Sequence, residues 1–309
     1  MGTLSEKLLL AVPLLALGCG SDHRVSPWGS DPDISLRQLF QAPDLGGQLA
    51  RLDAETASLG LRVTQEIRVE LPQRAGEALI RGYEGQDALG RAVHAVRVVT
   101  PRGIVMAAGP ADAADTRRDQ PTELVPALVT AGDGAGAYRS GTDLNGDKLL
   151  DVLLRSDAGT LSLWHFSALG AAPYEIEMKA PPRRGIDLDE DGRIDLAGEV
   201  SVEAGDLLAP RLTDVASFDG VRYSNRTEAA RAYHARLAEP PPPPAPGPPM
   251  RPESRLRAAL ERAFHAALAG MEKKRVLAEL DQEAVPKELD ASFHRWRERI
   301  AATFPSRSE

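Results

Sequence analysis

The stretch DLDEDGRIDL, Asp187 to Leu196, sets aspartates at alternate positions and then adds a further one before an apolar residue. Upstream, DLNGDKLLDV, Asp143 to Val152, repeats the arrangement with one asparagine. Numbered from its first aspartate, each loop carries side-chain oxygens at positions one, three, five and nine. These are Asp143, Asn145, Asp147 and Asp151 in loop 1, and Asp187, Asp189, Asp191 and Asp195 in loop 2. Carboxylates this crowded repel one another unless a divalent cation sits among them. Calcium takes about six to eight hard oxygen ligands, and a curled loop turns alternate side chains and the position-seven carbonyl inward. That carbonyl belongs to Leu149 in loop 1 and to Arg193 in loop 2.

An EF-hand would need a bidentate glutamate at position twelve, where these loops have Leu154 and Gly198. Each loop runs instead into strand-like sequence, VLLR after Asp151 and LAGEV after Asp195. Dockerin repeats share the acidic spacing but continue into helices. The pattern resembles the FG-GAP or VCBS type of repeat, whose loop D-x-D-x-D-G-x-x-D-L lies between strands of integrin-like β-propellers. This resemblance spans Gly141 to Val200 and implies Ca2+ as the bound ion. Position six calls for a residue that tolerates positive φ. Gly192 supplies it in loop 2, whereas loop 1 has Lys148 there and its glycine, Gly146, at position four. With Asn145 also removing one charge, weaker binding is expected in loop 1. The alternative for both is a polar surface turn held by Asx hydrogen bonds.

Around the loops the period is that of strands. LRVTQEIRVEL alternates apolar and polar residues, and RAVHAVRVVT and GIVMAAG lie between turn signals. DVLLRSDAGTLSLWHF reads as a hairpin, and VASFDGVRYSN as another with Asp219-Gly220 at its tip. Leu45 to Leu61 predicts a short edge helix, and Arg226 to Ala238 a closing one. The expected fold class is mainly β: a small sheet assembly or partial β-propeller-like domain with strand-flanked acidic loops, plus a C-terminal α-helical unit.

That unit follows EPPPPPAPGPPMRPES, Glu239 to Ser254, a stiff extended spacer. Beyond it Leu256, Leu260, Phe264 and Ala267 form one helical stripe. Met271, Val276, Leu277 and Leu280 suggest a second helix. Pro286 is expected to open a third, in which Leu289, Phe293, Trp296, Ile300 and Phe304 share a face. A unit of about 55 residues is near the lower limit for folding alone. Its apolar face is therefore expected to pack on the β domain or on another protein.

The start, MGTLSEKLLLAVPLLALGCGSD, reads as a signal peptide, because an apolar run of about ten residues is too short to span a bilayer. Cys19, the single cysteine, follows small Gly18 directly after that run. The arrangement resembles the lipobox of bacterial lipoproteins. The resemblance implies cleavage before Cys19, acylation of its thiol and new amino group, and attachment to a membrane. Gly20 is compatible with transport to the outer membrane. The expected location is the outer membrane or cell surface, with the periplasmic side as the other option. The expected organisation is signal peptide 1–18, lipidated cysteine and tether 19–44, β domain 45–238, proline-rich linker 239–254 and helical unit 255–309.

A net charge of −8 argues against nucleic acid, which calls for a basic face. No G-x-S-x-G, P-loop or H-E-x-x-H occurs. The histidines (His23, His94, His165, His234, His265, His294) show no close pairing of the zinc-ligand kind. The sequence therefore points to a non-catalytic, calcium-stabilised, lipid-anchored envelope protein that binds protein or glycan or serves as a scaffold. The alternative is a lipid-anchored hydrolase with an unrecognised carboxylate site. Its sign would be a pocket lined by carboxylates of raised pKa away from both loops.

Overall fold

Asp44 starts the first helix: its carboxylate accepts from the amides of Gly46 and Gly47, both at 3.0 Å, so free N-terminal donors are satisfied. The computed structural model describes residues 44–304 apart from 73–74, 87–88, 110–126, 132–137, 157, 204 and 241–249. The signal peptide, Cys19, the tether and most of the proline run lie outside the described residues. Helix α1 (Leu45–Ser58) buries Leu52 and Thr56. Four antiparallel strands follow in simple meander order: β1 (Arg62–Glu70), β2 (Glu77–Gln86), β3 (Ala92–Thr100) and β4 (Gly103–Ala108).

Alternation along these strands sends side chains to opposite faces. Tyr83, Ala95 and Val99 meet Leu52 of α1 on one face, while Ile80, Val96 and Val98 pack on the other. The second sheet lies against that other face. Its strands run β10-β9-β8-β5, namely β5 (Ala127–Leu128), β8 (Leu150–Arg155), β9 (Leu161–Phe166) and β10 (Ala171–Pro173). The short β6 (Thr130–Ala131) and β7 (Tyr138–Arg139) pair beside it. Strand β8 is covered on both faces: Val152 and Leu154 join the core of the first sheet, and Leu153 joins that of the third. This is why it reads as a continuous apolar run rather than an alternating one.

The third sheet has the order β11-β15-β14-β13-β12, built from β11 (Ile176–Glu177), β12 (Arg184–Ile186), β13 (Asp195–Glu199), β14 (Thr213–Phe218) and β15 (Tyr223–Ser224). All its pairings are antiparallel except β11 with β15. Leu196 and Ala216 face the second sheet, while Ala197 and Val215 face Ala230 of helix α2 (Glu228–Ala238). Thr227 caps that helix by accepting from the Ala230 amide at 3.2 Å.

The C-terminal segment forms α3 (Pro252–Leu268), α4 (Lys273–Leu280) and α5 (Asp290–Thr303). Helix α3 begins inside the expected spacer, because Pro252 sits at its start, where no amide hydrogen is needed. Pro286 opens a turn rather than the third helix: its carbonyl accepts from Leu289 at 3.0 Å and α5 begins after it. The stripe Leu289, Phe293, Trp296, Ile300 and Phe304 is buried in one core with Leu256, Leu260 and Phe264. Leu208 and Leu212, from the segment between β13 and β14, complete that core. The apolar helical face is thus satisfied within this chain.

Among the described residues the fold is mixed, with 32% strand and 30% helix, so the expected mainly-β class holds only in part. Five described helices account for the difference, and the described strands close into neither a barrel nor a propeller. Among the described residues no helix is long and apolar enough to cross a membrane.

Candidate functional site

Each acidic loop runs into a strand, β8 from loop 1 and β13 from loop 2. Loop 1 runs into β8, with the Gly141 amide donating to Asp151 O at 2.7 Å and the Asp151 amide to Thr142 O at 2.9 Å. Loop 2 joins β12 to β13, where Ile186 pairs with Asp195. Three internal hydrogen bonds correspond position by position between the two loops. The position-nine carboxylate accepts from the position-two amide, Leu144 to Asp151 at 2.7 Å and Leu188 to Asp195 at 2.8 Å. The position-one carboxylate accepts from the position-six amide, Lys148 to Asp143 at 2.8 Å and Gly192 to Asp187 at 2.9 Å. Position five accepts from position seven, Leu149 to Asp147 and Arg193 to Asp191, both at 2.8 Å. These are Asx hydrogen bonds of the kind that stabilise polar turns.

Positive φ occurs at positions four and six in both loops: Gly146 (83°) and Lys148 (71°) in loop 1, Glu190 (63°) and Gly192 (80°) in loop 2. Each loop therefore has one glycine and one side-chain-bearing residue in the left-handed region. The glycine at position six does not set loop 2 apart, since Glu190 carries there the strain that Lys148 carries in loop 1.

The loops touch. The Ile194 amide donates to Leu144 O at 2.7 Å, and the Tyr138 hydroxyl donates to Arg193 O at 2.8 Å. Arg193 lies over Gly146 so closely that a Cβ there would come within 2.5 Å of its Nε.

What the loops offer a cation differs. Oxygens of Asp187, Asp189 and Asp195 lie within 4.8 Å of one another, the group of this kind found among the described residues. Asp187 and Asp189 are exposed and Asp195 is buried at the start of β13. Asp191 stands apart, its carboxylate 3.4 Å from the Arg193 guanidinium. The Arg193 carbonyl has Tyr138 as a donor. Among the described residues Asp143, Asp147 and Asp151 form no comparable carboxylate group; Asn145 and the Leu149 carbonyl complete the expected set of loop 1. In loop 1 the Tyr174 hydroxyl contacts both Asp147 and Asp151, the latter at 3.1 Å. The Asn145 Oδ1 accepts from the Asp147 amide at 3.1 Å.

Burial pushes the Asp195 carboxyl up to about 7; the Leu188 amide opposes this, while Asp189, Asp191 and Asp187 add to it. Burial likewise pushes Asp151 up to about 7, against the Leu144 amide and with Asp147 adding to the rise. A cleft of about 380 Å³ opens beside loop 2, lined by Asp189, Asp191, Asp195, Phe218, Asp219 and Glu228 among others. A hydrated cation can reach Asp189 and Asp195 through it.

A second cluster is absent from the sequence expectations. His234 of α2 and His265 of α3 place their Nδ1 atoms 2.8 Å apart, and both rings are buried. His234 Nε2 faces Asp214 Oδ1 at 3.6 Å. Asp214 in turn accepts from Asn225 Nδ2 at 3.2 Å and from the Lys179 amide. Burial, together with His234, lowers His265 to about 4, so its ring is neutral. Because the ring nitrogens bond to each other rather than converge on one point, the cluster is a polar seam joining α2, α3 and β14.

No family model, curated protein or solved structure matches the chain.

Proposed function

We propose that this is a non-catalytic, lipid-anchored cell-envelope protein whose loop 2 binds calcium, and that its stacked sheets present a surface to an envelope protein or glycan. The observation that carries this reading is the convergence of Asp187, Asp189 and Asp195 beside an open cleft. The donor set is all oxygen, anionic and hard, which suits Ca2+. When bound, the ion neutralises these carboxylates and ties the loop to the base of β13. The FG-GAP or VCBS resemblance fits a strand-flanked loop leading into sheets stacked face to face, in a small assembly rather than a full propeller.

Against the hydrolase alternative, the carboxyl groups of raised pKa among the described residues are Asp151 and Asp195, both inside the loops. A catalytic pair would call for raised carboxyls elsewhere. The membrane part of the proposal rests on Cys19 and its resemblance to a lipobox.

Extracellular calcium modules bind with Kd of about 10⁻⁴ to 10⁻³ M. At roughly 1 mM calcium, one such site stabilises the fold by about 0.4–1.4 kcal/mol, which raises the melting temperature by only a few degrees. Calorimetry of the full chain in calcium and in chelator should show that rise, and Asp195→Asn should abolish it. Identical melting curves together with no calcium binding would reduce loop 2 to a hydrogen-bonded turn. Fatty-acid labelling in a bacterial host should be lost in Cys19→Ser; persistent label on that variant would remove the anchor.

A further inference from the structure

The resemblance that implies calcium implies it for both loops, and loop 1 does not fit. Its position-five and position-nine carboxyls are spanned by the Tyr174 hydroxyl. Tyr174 lies between β10 and β11 and is fixed edge-on by Phe218 at 5.4 Å and Tyr223 at 5.8 Å. Asn145 is 1% exposed, and its Nδ2 has no hydrogen-bond partner among the described residues. Among the described residues no tyrosine hydroxyl is hydrogen-bonded to the corresponding carboxylates of loop 2. Asp191 turns to Arg193, and Tyr138 reaches the Arg193 backbone instead.

We propose that the Tyr174 hydroxyl takes the place of a cation in loop 1, cross-bracing Asp147 to Asp151, so that the chain takes one calcium, at loop 2. Loop 1 is then a metal-independent copy of loop 2. It packs against loop 2 through the Ile194–Leu144 hydrogen bond and the Arg193–Gly146 contact, and holds it in shape whether or not an ion is bound. The count of one rests on the calcium reading of loop 2; the brace does not.

The test is a calcium titration of the full chain with melting curves in chelator. Wild type should bind one equivalent, Asp147→Asn should still bind one, and Asp195→Asn should bind none. In chelator, Tyr174→Phe keeps the ring but loses a charge-assisted hydrogen bond, and should melt about 5 °C lower. Tyr138→Phe, which loses a hydroxyl bonded only to backbone, should melt less than half as far below wild type. Two equivalents in wild type, with one lost on Asp147→Asn, would overturn the proposal. So would a Tyr174→Phe variant as stable as wild type in chelator. A wild type that binds no calcium refutes the reading of loop 2, and the brace is then decided by the melting shift alone.

Discussion

The carboxylate of Asp206, between β13 and β14, accepts from Ser292 Oγ, from the amides of Leu208 at 3.0 Å and Ala209 at 3.3 Å, and from Trp296 Nε1 at 2.9 Å. Arg295 lies 3.4 Å away. The carboxylate of Asp195 has the Leu188 amide, at 2.8 Å, and three other aspartates around it. Burial acts to raise both. At Asp206 the donors outweigh it and hold the group down to about 2; at Asp195 one donor does not, and the group rises to about 7. Asp195 is both the more deeply desolvated and the poorer in donors, and the two differences together decide which carboxylate stays charged. Asp206 is a finished structural site joining the 200–212 segment to α5. Loop 2 is short of positive partners, and a cation would provide them.

The largest effect expected is therefore at the finished site. Asp206→Ala leaves Trp296 Nε1, Ser292 and two amides without their acceptor and should destabilise the fold by about 3 kcal/mol. Chemical denaturation measures it, and Asp206→Asn, which keeps an acceptor oxygen, should lose less. The pH dependence separates charge from shape. A carboxyl lowered to about 2 contributes stability that is full above its unfolded value near 4 and is lost as pH falls toward 2. That share is about 2–3 kcal/mol. The advantage of wild type over Asp206→Asn should thus shrink between pH 4 and 2. A constant difference would mean that the carboxylate's charge contributes nothing there.

Asp195 should behave in the opposite sense, with a smaller effect. A carboxyl raised to about 7 holds its proton in the folded chain where the unfolded chain has released it. Its contribution is present at low pH and lost as pH rises from about 4 through 7. In chelator, Asp195→Asn should be more stable than wild type at pH 7.5 by about 1–2 kcal/mol, a part of the full shift because the loop relaxes. The gap should narrow toward pH 4. His265, lowered to about 4, works against this trend in both proteins, so reading variant against wild type cancels it. An unchanging gap across that range would remove Asp195 as a strained carboxyl, and with it the physical reason for a cation.

Much of this was legible in the sequence and some was not, for identifiable reasons. The loop positions, the β8–β9 and β14–β15 hairpins and the C-terminal stripes follow from spacing, because local period fixes which side chains share a face. Strand β2 is absent from the sequence expectations; its pattern holds Gly82 and Gly85, a residue type that weakens a strand interior. Gly85 is there because a Cβ would come 2.8 Å from Gly60 O, a contact no local pattern reveals. His234 and His265 are 31 positions apart across the proline-rich segment, and only the packing of α3 on α2 joins them. Tyr174 and Asp206 are single residues in irregular chain whose partners lie far along the sequence. Spacing also misjudged the loops. It identified one left-handed position in each where there are two.

That last point sets the smallest expected effect, and it compares the loops directly. Lys148 and Glu190 are side-chain-bearing residues at φ 71° and 63°, a region that costs an L-residue about 1 kcal/mol or more relative to glycine. Replacing either by glycine relieves that strain but adds backbone freedom to the unfolded chain, so each change should stabilise by roughly 0.5 kcal/mol. Were loop 1 the poorer former because it lacks glycine at position six, Lys148→Gly should gain and Glu190→Gly should not. With two left-handed positions in each loop, the gains should be alike. Denaturation midpoints in chelator, where no bound ion favours either loop, decide between the two. A gain confined to Lys148→Gly would restore the inequality that the backbone angles remove. Equal gains leave Tyr174 as the difference between the loops.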